Sequence, residues 1–136
     1  MNRTIAIAAV LALVAGTLWW ANRPPGGPAE GEPFLEVSVP ELTGAAKEGE
    51  ALFAQSCAVC HGQNAAGRGG YGPPLVDRIY RSRIHADIAF LLAVQNGVRA
   101  HHWQYGSMPP QEGIDEAAVT RITAYVRALQ KENGID

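Results

Sequence analysis

The chain has 136 residues, which suits one small domain with a short additional segment. Apolar residues make up 47% and charged residues 18%, and this composition excludes a disordered chain. A net charge of −2 at pH 7 argues against nucleic-acid binding, which requires a basic surface. Few aromatic residues and frequent glycine and proline predict a small, loop-rich core that needs an additional stabilising element, such as a bound group.

An uncharged apolar run extends over residues 4–21. As a helix it would span about 27 Å, close to the thickness of the hydrocarbon core of a bilayer. The run ends in Trp19 and Trp20, and Arg23 follows, which is typical of an anchor at the membrane interface. We therefore predict a transmembrane signal anchor over residues 1–21. A cleaved signal peptide is the alternative, although tryptophan before the end of the run is unfavourable for cleavage.

The remaining chain divides into a linker and a domain. Residues 22–43 are rich in proline, glycine and glutamate, and we interpret them as a tether. Apolar and polar residues alternate over residues 34–39, as they do in a strand. We nevertheless expect this stretch to stay extended or to pack loosely against the domain. The domain is assigned to residues 44–136.

Helical periodicity predicts three helices in the domain. They cover approximately residues 45–56, 86–96 and 115–132. The last has an apolar stripe with Tyr125 beside it, formed by Val119, Ile122, Val126 and Leu129. No convincing strand is found, so the predicted fold class is all-α with long loops, which need something to wrap around.

The run Cys57-Ala58-Val59-Cys60-His61 is typical of covalent haem attachment. Its two thiols would add to the two vinyl groups on one edge of the porphyrin, and His61 would bind the iron as proximal ligand. A thioredoxin-like redox pair is less suitable because the βαβ context is missing. A zinc site from Cys57, Cys60 and two of the histidines remains a weaker alternative. Since one such motif is present, we expect a single haem c.

Met108 is the candidate for the sixth iron ligand. The other methionine, Met1, precedes the membrane segment, so Met108 is the only available thioether. It lies in Gly106-Ser107-Met108-Pro109-Pro110, where glycine and prolines favour a stiff extended loop. The rival ligands are the histidines outside the motif, which are His85, His101 and His102.

Residues 49–125 resemble the class I c-type cytochromes. The resemblance covers Gly49 and Phe53 before the motif, Gly72-Pro73-Pro74-Leu75, Met108-Pro109 and Ala124-Tyr125. It implies a small cytochrome c fold of three to four helices around one haem, with Gly49 permitting close approach of the first and last helices. It also implies that the Pro73 carbonyl accepts a hydrogen bond from His61, that Leu75 packs on the haem, and that the haem domain lies outside the cytoplasmic membrane.

These features together predict one-electron transfer rather than enzymatic catalysis, with no small-molecule substrate. Redox proteins are the expected partners, and the arginines at positions 78, 81 and 83, with Arg68, could attract an acidic one. One alternative is a haem-bearing subunit that accepts electrons within a larger dehydrogenase or oxidase. Another is a haem sensor in which Met108 leaves the iron. The predicted location is the membrane, with the haem domain on the periplasmic side, or the periplasm after cleavage.

Overall fold

The computed structural model describes residues 3–22 and 28–135, with side chains from residue 9 onward in the first helix. Five α-helices are present in these ranges, and they are α1 (Arg3–Ala21), α2 (Gly44–Ser56), α3 (Ala58–His61), α4 (Asp87–Asn96) and α5 (Glu116–Glu132). Short 3₁₀ turns occur at Gln63–Ala65 and Arg78–Tyr80. Among the described residues, β-type pairing is limited to two isolated β-bridges. One joins Arg68 to Gly72, and the other joins Val98 to Met108. The predicted all-α class is confirmed.

Helix α1 coincides with the apolar run at the N-terminus. Its described large side chains are exposed, including Leu13, Trp19 and Trp20. Within the described part of the chain, no helix is long and apolar enough to cross a membrane. Arg23 and the proline-glycine start of the linker lie outside the described residues.

The domain is organised around the crossing of α2 and α5. A Cβ atom added at Gly49 would lie 1.9 Å from the Arg121 carbonyl oxygen, so only glycine allows this separation of the two backbones. One turn later, the rings of Phe53 and Tyr125 pack with their centroids 5.5 Å apart. The close approach at Gly49 that the resemblance implied is confirmed, and the contact of Phe53 with Tyr125 lies at the same crossing.

Helix α5 supplies most of the core. All four residues of its predicted stripe are buried, as is Tyr125. The Tyr125 hydroxyl donates a hydrogen bond to Asn64 Oδ1 at 3.2 Å, and burial, followed by the nearby Glu50 carboxylate, raises its pKa to about 12. Asp115 caps the helix by accepting a hydrogen bond from the Ala118 N–H at 2.7 Å. The helix therefore begins where its sequence predicts.

Helix α4 packs with a different side from the one its sequence favoured. The i, i+3, i+4 spacing of Ile88, Leu91 and Leu92 predicts the apolar side of this helix, but Ile88 and Leu92 are 58% and 49% exposed. Val94 is buried instead, and Phe90 packs against the core formed with α5. The helix has apolar residues on every side, so periodicity alone could not identify the packed side.

Residues 28–43 lie against the domain. Leu35, Val37 and Leu42 pack on the core, and the backbone of Ser38 exchanges two hydrogen bonds with the Asn133 side chain, at 3.0 and 2.8 Å. No strand forms over residues 34–39, in agreement with the expected packed extended segment. The Phe34 ring lies edge-on to Trp103, with 5.7 Å between centroids.

A polar network on α5 fixes the segment that leads into α4. Arg127 donates to the Tyr80 carbonyl at 2.6 Å, to the His85 carbonyl at 2.5 Å and to Asp87 Oδ1 at 2.8 Å. Gln130, which is buried, donates to the Leu75 carbonyl at 2.7 Å. These hydrogen bonds satisfy backbone carbonyl groups that have no partner within a helix or strand. They also restrain the conformation of the loop.

Candidate haem site

The three residues of the attachment motif lie at the junction of α2 and α3. Cys57 ends α2 and precedes α3, and its N–H donates to the Phe53 carbonyl at 2.8 Å. The His61 N–H donates back to the Cys57 carbonyl at 2.9 Å, which closes one helical turn around the motif. Both cysteines are free thiols, half-buried at Cys57 and exposed at Cys60. One turn of helix thus presents two reactive thiols and an imidazole together.

The loop after α3 returns to the motif and orients the imidazole. The Gly67 N–H of this loop donates a hydrogen bond to the His61 carbonyl at 2.7 Å. At Gly72, an added Cβ would lie 2.7 Å from the Cys60 carbonyl oxygen, so glycine is needed for this close return. The loop then places the Pro73 carbonyl 2.9 Å from His61 Nδ1. The hydrogen bond that the resemblance implied is present.

This hydrogen bond determines which imidazole nitrogen is free. A carbonyl oxygen only accepts, so Nδ1 carries the proton and Nε2 keeps a lone pair. Burial lowers the pKa of His61, and the hydrogen bond to Pro73 opposes this only in part. The neutral ring is therefore favoured, and it is the form that binds a metal.

The Cys57 thiol is kept protonated by its surroundings. Burial, and then the proximity of Cys60, raises the pKa of Cys57 to about 11. A thiolate that is active near neutral pH needs a lowered pKa, so Cys57 lacks the usual feature of a catalytic thiol in thiol-disulfide exchange. Addition of a thiol across a vinyl double bond consumes the S–H hydrogen and forms a thioether, which is the chemistry that covalent haem attachment requires.

Met108 lies in a braced loop that follows α4. Its N–H and carbonyl both pair with Val98, each at 2.9 Å, and its side chain is half-buried. The Gln111 side chain donates to the Pro109 carbonyl at 2.7 Å, and the Gln111 N–H donates to the Val94 carbonyl at 2.8 Å. The stiff loop that the proline and glycine residues predicted is present, while ligation of iron by Met108 stays a prediction.

The surfaces near these loops suit an apolar prosthetic group. Ile88 and Leu92, one turn apart on α4, present apolar side chains outward. Exposed large apolar residues at helical spacing are costly unless another surface covers them, and a porphyrin face provides such a cover. Leu75 is partly buried and packs against the protein core. Its predicted contact with haem is untested.

The sequence offers Trp103, Tyr105, Tyr71 and Arg68 as alternative hydrogen-bond donors for the haem propionates, and the structure shows what these side chains contact. The Trp103 indole N–H donates to the Tyr80 hydroxyl at 3.1 Å. Arg68 donates to the Val59 carbonyl at 2.7 Å and lies 3.9 Å over the Tyr71 ring. Tyr105 packs edge-on against Phe34. Trp103 and Arg68 therefore already donate hydrogen bonds to groups of the protein.

The three histidines outside the motif come together, which their sequence positions did not predict. Among the described residues, one group of at least three potential metal ligands is found, and its members are His85, His101 and His102. Cys57 and Cys60 are not part of it. The alternative of a zinc site built on the cysteines thus has no matching cluster in the described ranges.

Sequence comparisons agree with this geometry. Residues 44–126 match the family described as cytochrome c oxidase, cbb3-type, subunit III. The chain is 35% identical over 86 residues to the cbb3-type cytochrome c oxidase subunit FixP of Bradyrhizobium sp. (strain ORS 278). The match covers 62% of this chain and 27% of that protein, so the chain corresponds to about a quarter of its relative. The family match includes the motif, the Pro73 loop and the Met108 loop, and the chain belongs to this family of c-type cytochromes, which transfer electrons through covalently bound haem.

Proposed function

We propose that the protein carries single electrons through one haem c, attached at Cys57 and Cys60 and ligated by His61 and Met108. The observation that carries this proposal is the His61 Nδ1–Pro73 hydrogen bond of 2.9 Å, beside two free thiols. When bound, the haem iron would supply a reversible one-electron couple. The protein's contribution is to hold two axial donors and an apolar surface in fixed positions.

The loops are suited to keep both ligands in place during electron transfer. His61 is fixed by its backbone hydrogen bonds within α3 and by its contact with Pro73. The Met108 backbone is fixed by its pairing with Val98 on one side and by the Gln111 contacts on the other. A rigid ligand set keeps the structural change between two redox states small, which favours electron transfer over ligand exchange.

We further propose a respiratory setting, in which the chain passes electrons to or within a terminal oxidase. The matched family and the Bradyrhizobium relative are both described as subunits of cbb3-type cytochrome c oxidases. The proposed membrane anchor rests on the uncharged run over residues 4–21, with Trp19 and Trp20 at its end, and not on α1 as described, which does not qualify as a membrane span. The haem domain would then lie on the periplasmic side. On this proposal, the chain is an electron carrier and not itself a catalyst.

A basic depression supports docking of an acidic redox partner. Arg78, Arg81 and Arg83 line one depression together with Gly134 and Ile135. Arg68, which the sequence grouped with them, is bound to the Val59 carbonyl instead. Three cations on one surface favour association with an acidic protein at low ionic strength, and this attraction weakens as salt is added.

The proposed carrier is distinguished from a haem sensor by carbon monoxide binding. We expect the reduced protein to keep its optical spectrum when carbon monoxide is added at neutral pH, because Met108 occupies the open iron position. The measurement compares stopped-flow spectra of the reduced protein before and after mixing with carbon monoxide. A prompt spectral change on mixing would overturn the carrier with two permanent ligands and would favour the sensor.

A subunit role is the second candidate, and the comparison with an oxidase subunit favours it. Purification of the chain from its native membrane in mild detergent separates the two candidates. A stoichiometric oxidase core that stays bound in high salt would indicate a permanent subunit. Release of the chain by salt would indicate a mobile carrier docked through its arginines.

A further inference from the structure

The three histidines outside the attachment motif form a compact group on the surface. One nitrogen from each of His85, His101 and His102 lies within 4.8 Å of the other two. His85 is half-buried, and His101 and His102 are exposed. The rings of His101 and His102 have centroids 4.1 Å apart, and those of His85 and His102 are 6.0 Å apart. Neither redox chemistry nor haem attachment requires this cluster.

Two of the three rings form hydrogen bonds with backbone carbonyl groups. His85 Nδ1 lies 2.7 Å from the Ile79 carbonyl, and His101 Nδ1 lies 2.7 Å from the Arg99 carbonyl. Because a carbonyl oxygen only accepts, both Nδ1 atoms carry protons, and in the neutral form of each ring the lone pair is on Nε2. A metal-binding histidine commonly donates its second N–H to a carbonyl in this way, which fixes the ring and increases its basicity.

The donor set of the group consists of three imidazoles held close together. Protons on adjacent rings repel one another, whereas one cation shared by three lone pairs removes this repulsion. No carboxylate belongs to the cluster in the described ranges, so its donors are all nitrogen. Nitrogen donors of this kind bind zinc, copper and nickel rather than calcium or magnesium.

We propose that His85, His101 and His102 form a surface site for a transition-metal cation, separate from the haem, with one coordination position left open to water. Tetrahedral zinc with Zn–N bonds of about 2.0–2.1 Å places its nitrogens about 3.3 Å apart. The present separations of up to 4.8 Å therefore have to shorten by up to about 1.5 Å. Side-chain rotation of the two exposed histidines can supply this movement.

The position of the site gives it a structural consequence. His101 and His102 lie in the loop closed by the pairing of Val98 with Met108, and His85 precedes α4. Arg127 binds the His85 carbonyl, so this side of the site is connected to α5. A bound metal would join the loop of residues 99–107 to the segment before α4, and it would add to the contacts that Trp103 already makes with Tyr80 and Phe34.

Zinc binding to the full-length haem-loaded protein, purified without a histidine tag, tests the proposal. Equilibrium dialysis against Zn(II), with metal analysis of the protein, is expected to give about one additional zinc per chain. We expect His101→Ala and His102→Ala each to weaken this binding by at least about tenfold, because each removes one ligand. Gln104→Ala, an exposed substitution in the same loop, should bind zinc like the unchanged protein.

A second probe reports on the ligands themselves. Cu(II) added in one equivalent should give an electron paramagnetic resonance signal with nitrogen couplings, and the double variant His101→Ala/His102→Ala should lack it. Equal zinc binding by the unchanged protein and this double variant would overturn the proposal. So would a copper signal that persists in the double variant. Neither readout depends on electron transfer, so failure of the metal site would leave the proposed carrier function unaffected.

Discussion

Replacing Met108 with alanine is expected to lower the midpoint potential of the haem by on the order of 0.1 V or more. Axial ligands set haem potentials over a range of about 0.8 V, and a thioether raises the potential relative to a second imidazole or water. The variant should also lose the weak red absorbance band that methionine-ligated ferric haem shows. A spectroelectrochemical titration of the full-length protein measures both quantities.

Ser107→Ala is the matched control for the loop. The Ser107 hydroxyl accepts a hydrogen bond from the Ala100 N–H at 3.2 Å, so its loss perturbs the same loop without removing the thioether. We expect its potential and spectrum to match those of the unchanged protein. If Met108→Ala kept the red band and the original potential, Met108 would not be the ligand. A histidine such as His101 or His102 would then have to be considered.

Replacing Gly49 with alanine is expected to destabilise the domain by about 2–3 kcal/mol, although the same change stabilises most exposed helices by about 1 kcal/mol. The added Cβ would lie 1.9 Å from the Arg121 carbonyl oxygen and 3.0 Å from Tyr125 Cβ. Both contacts are with atoms of α5 that cannot rotate away, so α2 and α5 must move apart. The thermal midpoint should fall by about 10 °C or more, since 1 kcal/mol corresponds to about 4–8 °C in a domain of this size.

Ala54→Gly, the reverse substitution on the exposed side of α2, is the control. Ala54 is exposed, so we expect a cost limited to the difference in helix propensity, about 1 kcal/mol. Thermal unfolding followed by circular dichroism compares the two variants. A Gly49→Ala protein as stable as the original would show that the two helices are farther apart in solution than the structure places them.

The elements with strong sequence signals were predicted correctly. Helix α5 has an apolar residue at each required position and an aspartate at its start, so both its packed side and its first residue followed from the pattern. The contacts at Gly49 and Pro73 followed from the resemblance to class I cytochromes. Short, spaced motifs constrain backbone geometry directly, and this makes them informative without any knowledge of the tertiary structure.

Features that depend on tertiary packing were not accessible in this way. Helix α4 has apolar residues on every side, so the pattern could not show that Phe90 and Val94 face the core. The contacts of Arg127 with Tyr80, His85 and Asp87 depend on where the chain returns, and an arginine on an amphipathic helix is normally solvated. His85 and His101 are separated by fifteen residues in the sequence, and only the folded loop brings their nitrogens within 4.8 Å.

The mass of the denatured polypeptide tests the central claim most directly. The protein should be produced in a bacterial host that assembles c-type haem, then unfolded in acid and examined by intact-mass spectrometry. We predict that the unchanged chain retains the mass of one haem and that Cys57→Ala/Cys60→Ala retains none, since both thioether bonds are lost. A haem-free mass for the unchanged chain, or a haem retained by the double variant, would contradict covalent attachment at these cysteines.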